Sequence, residues 1–128
     1  MNHFAKADAL ELLTADTKIR LLGNGRQNAA RIAEDGNTID FYPVVKLFTP
    51  DADYTWLLSE IDPEHQDLCF GLCDLGMGCP EMGSVSLAEI GALRGKLGLP
   101  VERDLSFKAV KSLAAYANEA RMLGHIKA

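Results

Sequence analysis

The spacing of apolar residues changes several times along the chain, and each change marks an element. Thr14 suits a helix N-cap, with Asp16 in the first turn where its charge favours the helix dipole. Ile19, Leu21 and Leu22 supply an apolar side. Gly23-Asn24-Gly25 then predicts an interruption, with a second helical stretch over Arg26 to Glu34 carrying Ile32 and the alanines. Asp35-Gly36-Asn37 reads as a turn. From Pro43 the residues become β-branched and aromatic. Strands are predicted over 44–48, 55–61 and 68–73, with a shorter one over 82–87, separated by Asp51-Ala52-Asp53, Asp62-Pro63-Glu64 and a long loop from Asp74 to Gly83. Ser86-Leu87-Ala88-Glu89 matches a capping box and opens a helix that ends near Gly95 to Gly98. Leu105-Ser106-Phe107 suggests a last short strand. Ser112 caps a final helix whose Leu113, Tyr116, Ala117, Ala120 and Leu123 share one face, and Gly124 stands at its C-terminal end.

This order predicts a single α+β domain over residues 1–128, with residues 1–13 as a mobile tail. Its centre is an antiparallel β-meander of four to five strands, packed with N-terminal, middle and C-terminal helices. The 128 residues suffice for one domain, and 48% apolar against 24% charged residues makes a buried core attainable. No apolar run is long enough to span a bilayer, and the first residues lack a signal-peptide layout. Three cysteines, an odd count, speak against a disulfide framework and for a reducing, cytoplasmic setting.

Net charge of −5 conceals an asymmetry. Residues 1–46 hold six acids and six bases, and residues 94–128 hold seven bases and three acids. Between Lys46 and Arg94 lie nine acids and no Lys or Arg. The candidate interaction face is therefore acidic: Asp51, Asp53, Glu60, Asp62, Asp67, Asp74 and Glu81, offered to a basic protein. In regular strand alternation Glu60 and Asp62 share a face with Trp56 and Leu58, and Glu60 could lie across from Asp67 or Asp74.

Two sets of residues are candidate metal ligands. One is Glu60, Asp67, Asp74 and Glu81, which could hold a divalent cation or do acid–base work. The other is His65 with Cys69, Cys73 and Cys79, the one cluster of soft ligands. Cys69 and Cys73 on one strand lie about 13 Å apart, too far to share an ion, so no cofactor is expected and buried thiols are the commoner meaning. Glu102, Arg103 and Asp104 are expected to form structural ion pairs, with Arg103 bridging the acidic meander. Phosphate-binding glycine motifs are absent despite Gly71, Gly76, Gly78 and Gly83. Lys108, Lys111, Arg121 and Lys127 could contact nucleic acid, but four scattered charges give weak, salt-sensitive binding.

The runs Pro43–Asp51, Thr55–Glu60, Phe70–Asp74, Glu81–Glu89, Arg94-Gly95 and Leu97–Asp104 resemble a family of small bacterial proteins catalogued as a domain of unknown function. The resemblance covers about residues 14–123. It implies a shared fold and a setting on plasmids, phages and integrative elements, with no assigned chemistry and no catalytic residues. By association it suggests counter-defence, as an anti-CRISPR or anti-restriction inhibitor acting on a host- or element-encoded protein. The alternatives are a metal-binding module or metal-dependent enzyme with an acidic cleft, and a nucleic-acid accessory protein.

Overall fold

Thr14 accepts a hydrogen bond from the Thr17 N–H and starts a helix, α1, that runs unbroken over Ala15–Glu34 in a computed structural model describing residues 12–128. The predicted interruption at Gly23-Asn24-Gly25 does not occur. Those residues are where α1 touches the sheet: Asn24 donates to the Ser59 carbonyl at 2.9 Å, and Gly25 lies directly against the Ile61 carbonyl. Tertiary contact overrides the local preference of glycine. The buried stripe of α1 is Leu21, Gly25 and Asn28, while Ile19 and Ile32 are exposed.

The strands follow as β1 (Val45–Phe48), β2 (Thr55–Ile61), β3 (Leu68–Asp74) and β4 (Glu81–Ser86). Next come a short helix, α2 (Leu87–Ala92), a two-residue strand, β5 (Glu102–Arg103), and α3 (Leu113–Leu123). The five strands form one antiparallel sheet in the order β4-β3-β2-β1-β5. This is the expected α+β meander, closed by a fifth strand beside β1. The fifth strand precedes the predicted one. Asp104 accepts the N–H and the hydroxyl of Ser106, which turns the chain at Leu105–Phe107 and ends pairing with β1. Leu12 is buried and Leu13 packs beside it, so these two belong to the core and not to a tail; residues 1–11 of the expected tail lie outside the described residues.

Two apolar clusters flank the sheet. One joins Val45, Leu47, Trp56, Leu58, Ile61 and Cys69 to Leu12, Leu21, Ile90 and Val101. The other joins Leu57 and Leu72 to the α3 residues Leu113, Tyr116, Ala117 and Ala120, whereas Leu123 is exposed. Ser112 and Gly124 cap α3 as expected, with Gly124 left-handed at φ 80°.

In β2 the alternation breaks. A β-bulge between Leu58 and Glu60 shifts the register, so that Ile61 joins Trp56 and Leu58 in the first cluster. Glu60 is turned away from them and pairs with Phe70. One extra residue exchanges the faces of everything beyond it.

Candidate functional site

Strand β4 forms one edge of the sheet, and among the described residues no strand pairs with its outer side. Its sequence is Glu-Met-Gly-Ser-Val-Ser. Edges are normally blunted by lysine, proline, bulges or shortness. The opposite edge is blunted by shortness, since β5 has two residues. The six-residue β4 carries a charge only at its first position and is followed directly by α2. Ser86 accepts the Glu89 N–H, and Asp67 accepts both the Ser86 hydroxyl at 2.5 Å and the Ala88 N–H at 2.8 Å. These bonds hold the Asp67 carboxyl below the usual carboxylate range. Strand and helix are thus fixed in position while the outer N–H and C=O groups of the strand face outward.

Two hollows adjoin this edge and share Ser84. The first, about 400 Å³, is walled by Leu75, Met77, Cys79, Met82 and Val85. Leu75, Met77 and Met82 are exposed. Flexible methionines on an open surface adapt to varied apolar partners. The second, about 200 Å³, lies between α1 and the sheet and includes Asn28, Ile32, Glu60, Asp62 and Phe70. Buried Asn28 donates to Glu60 Oε2 at 2.6 Å and to the Ile39 carbonyl at 3.1 Å, and accepts the Ile39 N–H at 2.7 Å. Burial pushes the Glu60 carboxyl above its ordinary range, against the opposing pull of the Asn28 amide.

The sign of that shift gives a prediction. A proton held more tightly in the fold than in the unfolded chain means that ionising Glu60 costs stability as pH rises through the carboxylate range. Glu60→Gln keeps an acceptor for Asn28 and removes the charge. The variant is expected to be more stable than the parent at pH 7, with the gain vanishing near pH 4, as read from urea midpoints at the two pH values. Equal midpoints at pH 7 would refute it. Asp67 and Asp104, held low, have the opposite dependence: their contribution is present at neutral pH and fades on acidification in both proteins.

The seven acids of the expected face do not lie on one surface. Asp51, Asp53, Asp74 and Glu81 stand at the end of the sheet where Thr55, Asp74 and β4 begin or finish, and Glu60, Asp62 and Asp67 stand at the other end. Most are engaged with the chain itself. Asp51 accepts the Leu97 N–H at 2.6 Å, Asp62 the N–H groups of Glu64 and His65, and Asp74 those of Gly76 and Ile126. Asp74 is buried; Asp53 and Glu81 are exposed. Glu60 faces Phe70, with neither Asp67 nor Asp74 opposite it.

Among the described residues no three His, Cys, Asp or Glu side chains are grouped to hold a metal ion. His65 sits on an exposed turn and Cys79 on the exposed loop after β3, while Cys69 is buried and Cys73 half-buried. Burial pushes the Cys69 thiol up to about 12, so it stays protonated at neutral pH and packs as an apolar group. Asp104 pairs with Lys46 at 3.4 Å, Arg103 is half-buried opposite Leu47, and Glu102 is exposed opposite Phe48. A cleft of about 690 Å³ lined by Lys46, Asp74, Asp104 and His125 is the seat of the C-terminal segment, where Lys46 also donates to the Ala128 carbonyl. Of the basic residues, Lys111 pairs with Glu119 at 2.9 Å over the Tyr116 ring and Arg121 donates to Asn118, while Lys108 and Lys127 are exposed.

The family described as Protein of unknown function (DUF2958) matches residues 12–127, nearly the whole chain. The chain belongs to this family. No curated protein and no solved structure matches it. In this DUF2958 protein no helix among the described residues is long and apolar enough to cross a membrane. The open edge at β4 and its two hollows were not apparent from the sequence. The signal was present in the small, uncharged run Gly83-Ser84 beside Met77 and Met82, but only the strand order reveals that this run is an edge.

Proposed function

We propose that this DUF2958 protein is a non-enzymatic interaction domain that takes an extended segment of another protein onto β4. The observation that supports the reading best is the six-residue edge strand, unblunted beside exposed Leu75, Met77 and Met82. Main-chain pairing gives such an edge its affinity, and pockets for alternate side chains give specificity. Glu81, exposed Asp53 and the absence of bases from 47 to 93 favour a basic partner. In the mobile-element setting that the family resemblance implies, that partner is a host- or element-encoded protein, and counter-defence is the use we assign to the contact.

A displayed library of random peptides tests the docking mode whatever the identity of the partner. Retained peptides are expected to slow amide exchange at residues 82–86 and to lose at least about tenfold in affinity against Ser84→Pro, which removes an outward-facing N–H, or Met82→Lys. Peptides that protect another surface, or binding indifferent to both substitutions, would overturn the reading.

A further inference from the structure

Ser84, Phe70 and Glu60 are register partners across β4, β3 and β2, and all three line the smaller hollow. They form one row that starts at the open edge and ends at a half-buried carboxylate beneath α1. Ser84, the residue nearest the edge, has a small side chain, so the row stays open above it. Glu60 Oε2 is held by Asn28, and Oε1 takes no hydrogen bond from the described residues. Asp62 adds a second carboxylate to the lining, which holds no Lys or Arg among the described residues. Phe70 gives the floor an aromatic face and exposed Ile32 forms part of the rim.

We propose that this row is a clamp for an arginine side chain of the segment that pairs with β4. The inference rests on the docking reading above and specifies the chemistry of its partner. A strand added to β4 lies three strand spacings, about 14 Å, from β2. A residue on it opposite Ser84 falls in the same row. An extended arginine covers about half that distance and the Glu60 side chain most of the remainder, so the guanidinium meets Oε1 after passing over Ser84 and Phe70. Its plane suits both a carboxylate and an aromatic face, which a lysine ammonium matches less well. The neighbouring row on the same face is Met82, Leu72 and Leu57. The residue two positions from the arginine therefore lies beside Met82 and is apolar. The clamp thus reads a basic and an apolar residue spaced by two.

Peptides retained from the display library provide the probe. Those that protect β4 are expected to carry Arg and an apolar residue two apart. Replacing that Arg with citrulline, which keeps the shape and removes the charge, is expected to weaken binding to the parent protein at least tenfold. Glu60→Gln should weaken the arginine peptide by a similar factor and leave the citrulline peptide unaffected, so that the two changes do not add. In the parent protein, the arginine peptide should also lower the titration point of the Glu60 carboxyl, followed by NMR, and the citrulline peptide should leave it in place. Peptides that protect β4 but lose equally on citrulline replacement against both proteins, or that lack a basic residue in this register, would overturn the clamp and leave the docking edge standing. Failure of every peptide to protect β4 would overturn both.

Discussion

Replacing Gly25 by alanine is expected to destabilise the protein by about 3 kcal/mol, whereas the same change at Gly23 stabilises it by up to about 1 kcal/mol. The two glycines are two residues apart in α1 and experience the same helical preference. Alanine is the better helix former at both, mostly because it loses less backbone freedom. They differ in what a Cβ would meet. At Gly23 nothing lies within 4 Å. At Gly25 the Cβ would overlap the Ile61 carbonyl oxygen and stand 2.9 Å from its carbon. That carbonyl belongs to strand β2, which at Ile61 is paired with Cys69 of β3 and packed in the first apolar cluster, so it is the helix that must move. A shift of α1 strains the Asn24–Ser59 bond, the Asn28 bonds to Glu60 and Ile39, and the packing of Leu21. Urea denaturation of the two single variants checks this, and a change of the same sign in both would disprove the contact.

Asp74→Ala is expected to cost about 2–3 kcal/mol and to loosen both ends of the chain segment it joins. The buried carboxylate accepts the Gly76 N–H at 2.9 Å with Oδ1 and the Ile126 N–H at 3.0 Å with Oδ2. One oxygen turns the loop after β3, and the other fastens the segment that follows α3. Bonds to an ionised acceptor are the stronger kind, and their loss leaves two backbone donors without a protein acceptor. Asp74→Asn retains one carbonyl oxygen and should fall between the parent and the alanine variant. Amide exchange at Gly76 and Ile126 gives the local readout: both should accelerate in Asp74→Ala. Unchanged exchange at Ile126 would show that the C-terminal segment is held by other contacts.

Local signals carried much of the fold. Thr14, Ser86, Ser112 and Gly124 act as helix caps where their residue types suggest, and the four main strands stand within a residue or two of their apolar runs. What could not be read locally depended on distant parts of the chain. The Gly23-Asn24-Gly25 sequence breaks a helix in isolation but here meets β2, more than thirty residues away. The bulge at Ser59 and Glu60 has no residue signature, yet it decides that Glu60 points toward Asn28 and not into the core with Trp56. The acidic block was visible as charge, and its meaning was hidden for the same reason. Asp51, Asp67 and Asp74 each receive a backbone N–H from 21 or more positions away, so a stretch that looks like a solvated face is in large part a set of internal fastenings.

The unequal edges of the sheet also limit how far it can grow. Among the described residues, with β5 cut to two residues, the longer edge open to further strands is the one beyond β4. Two copies joined there would use the same edge on each, a two-fold arrangement that leaves no second full-length edge to continue a fibril. Self-association by this route would therefore stop at a dimer, and a strand docked on β4 as proposed would compete with the second copy for that edge.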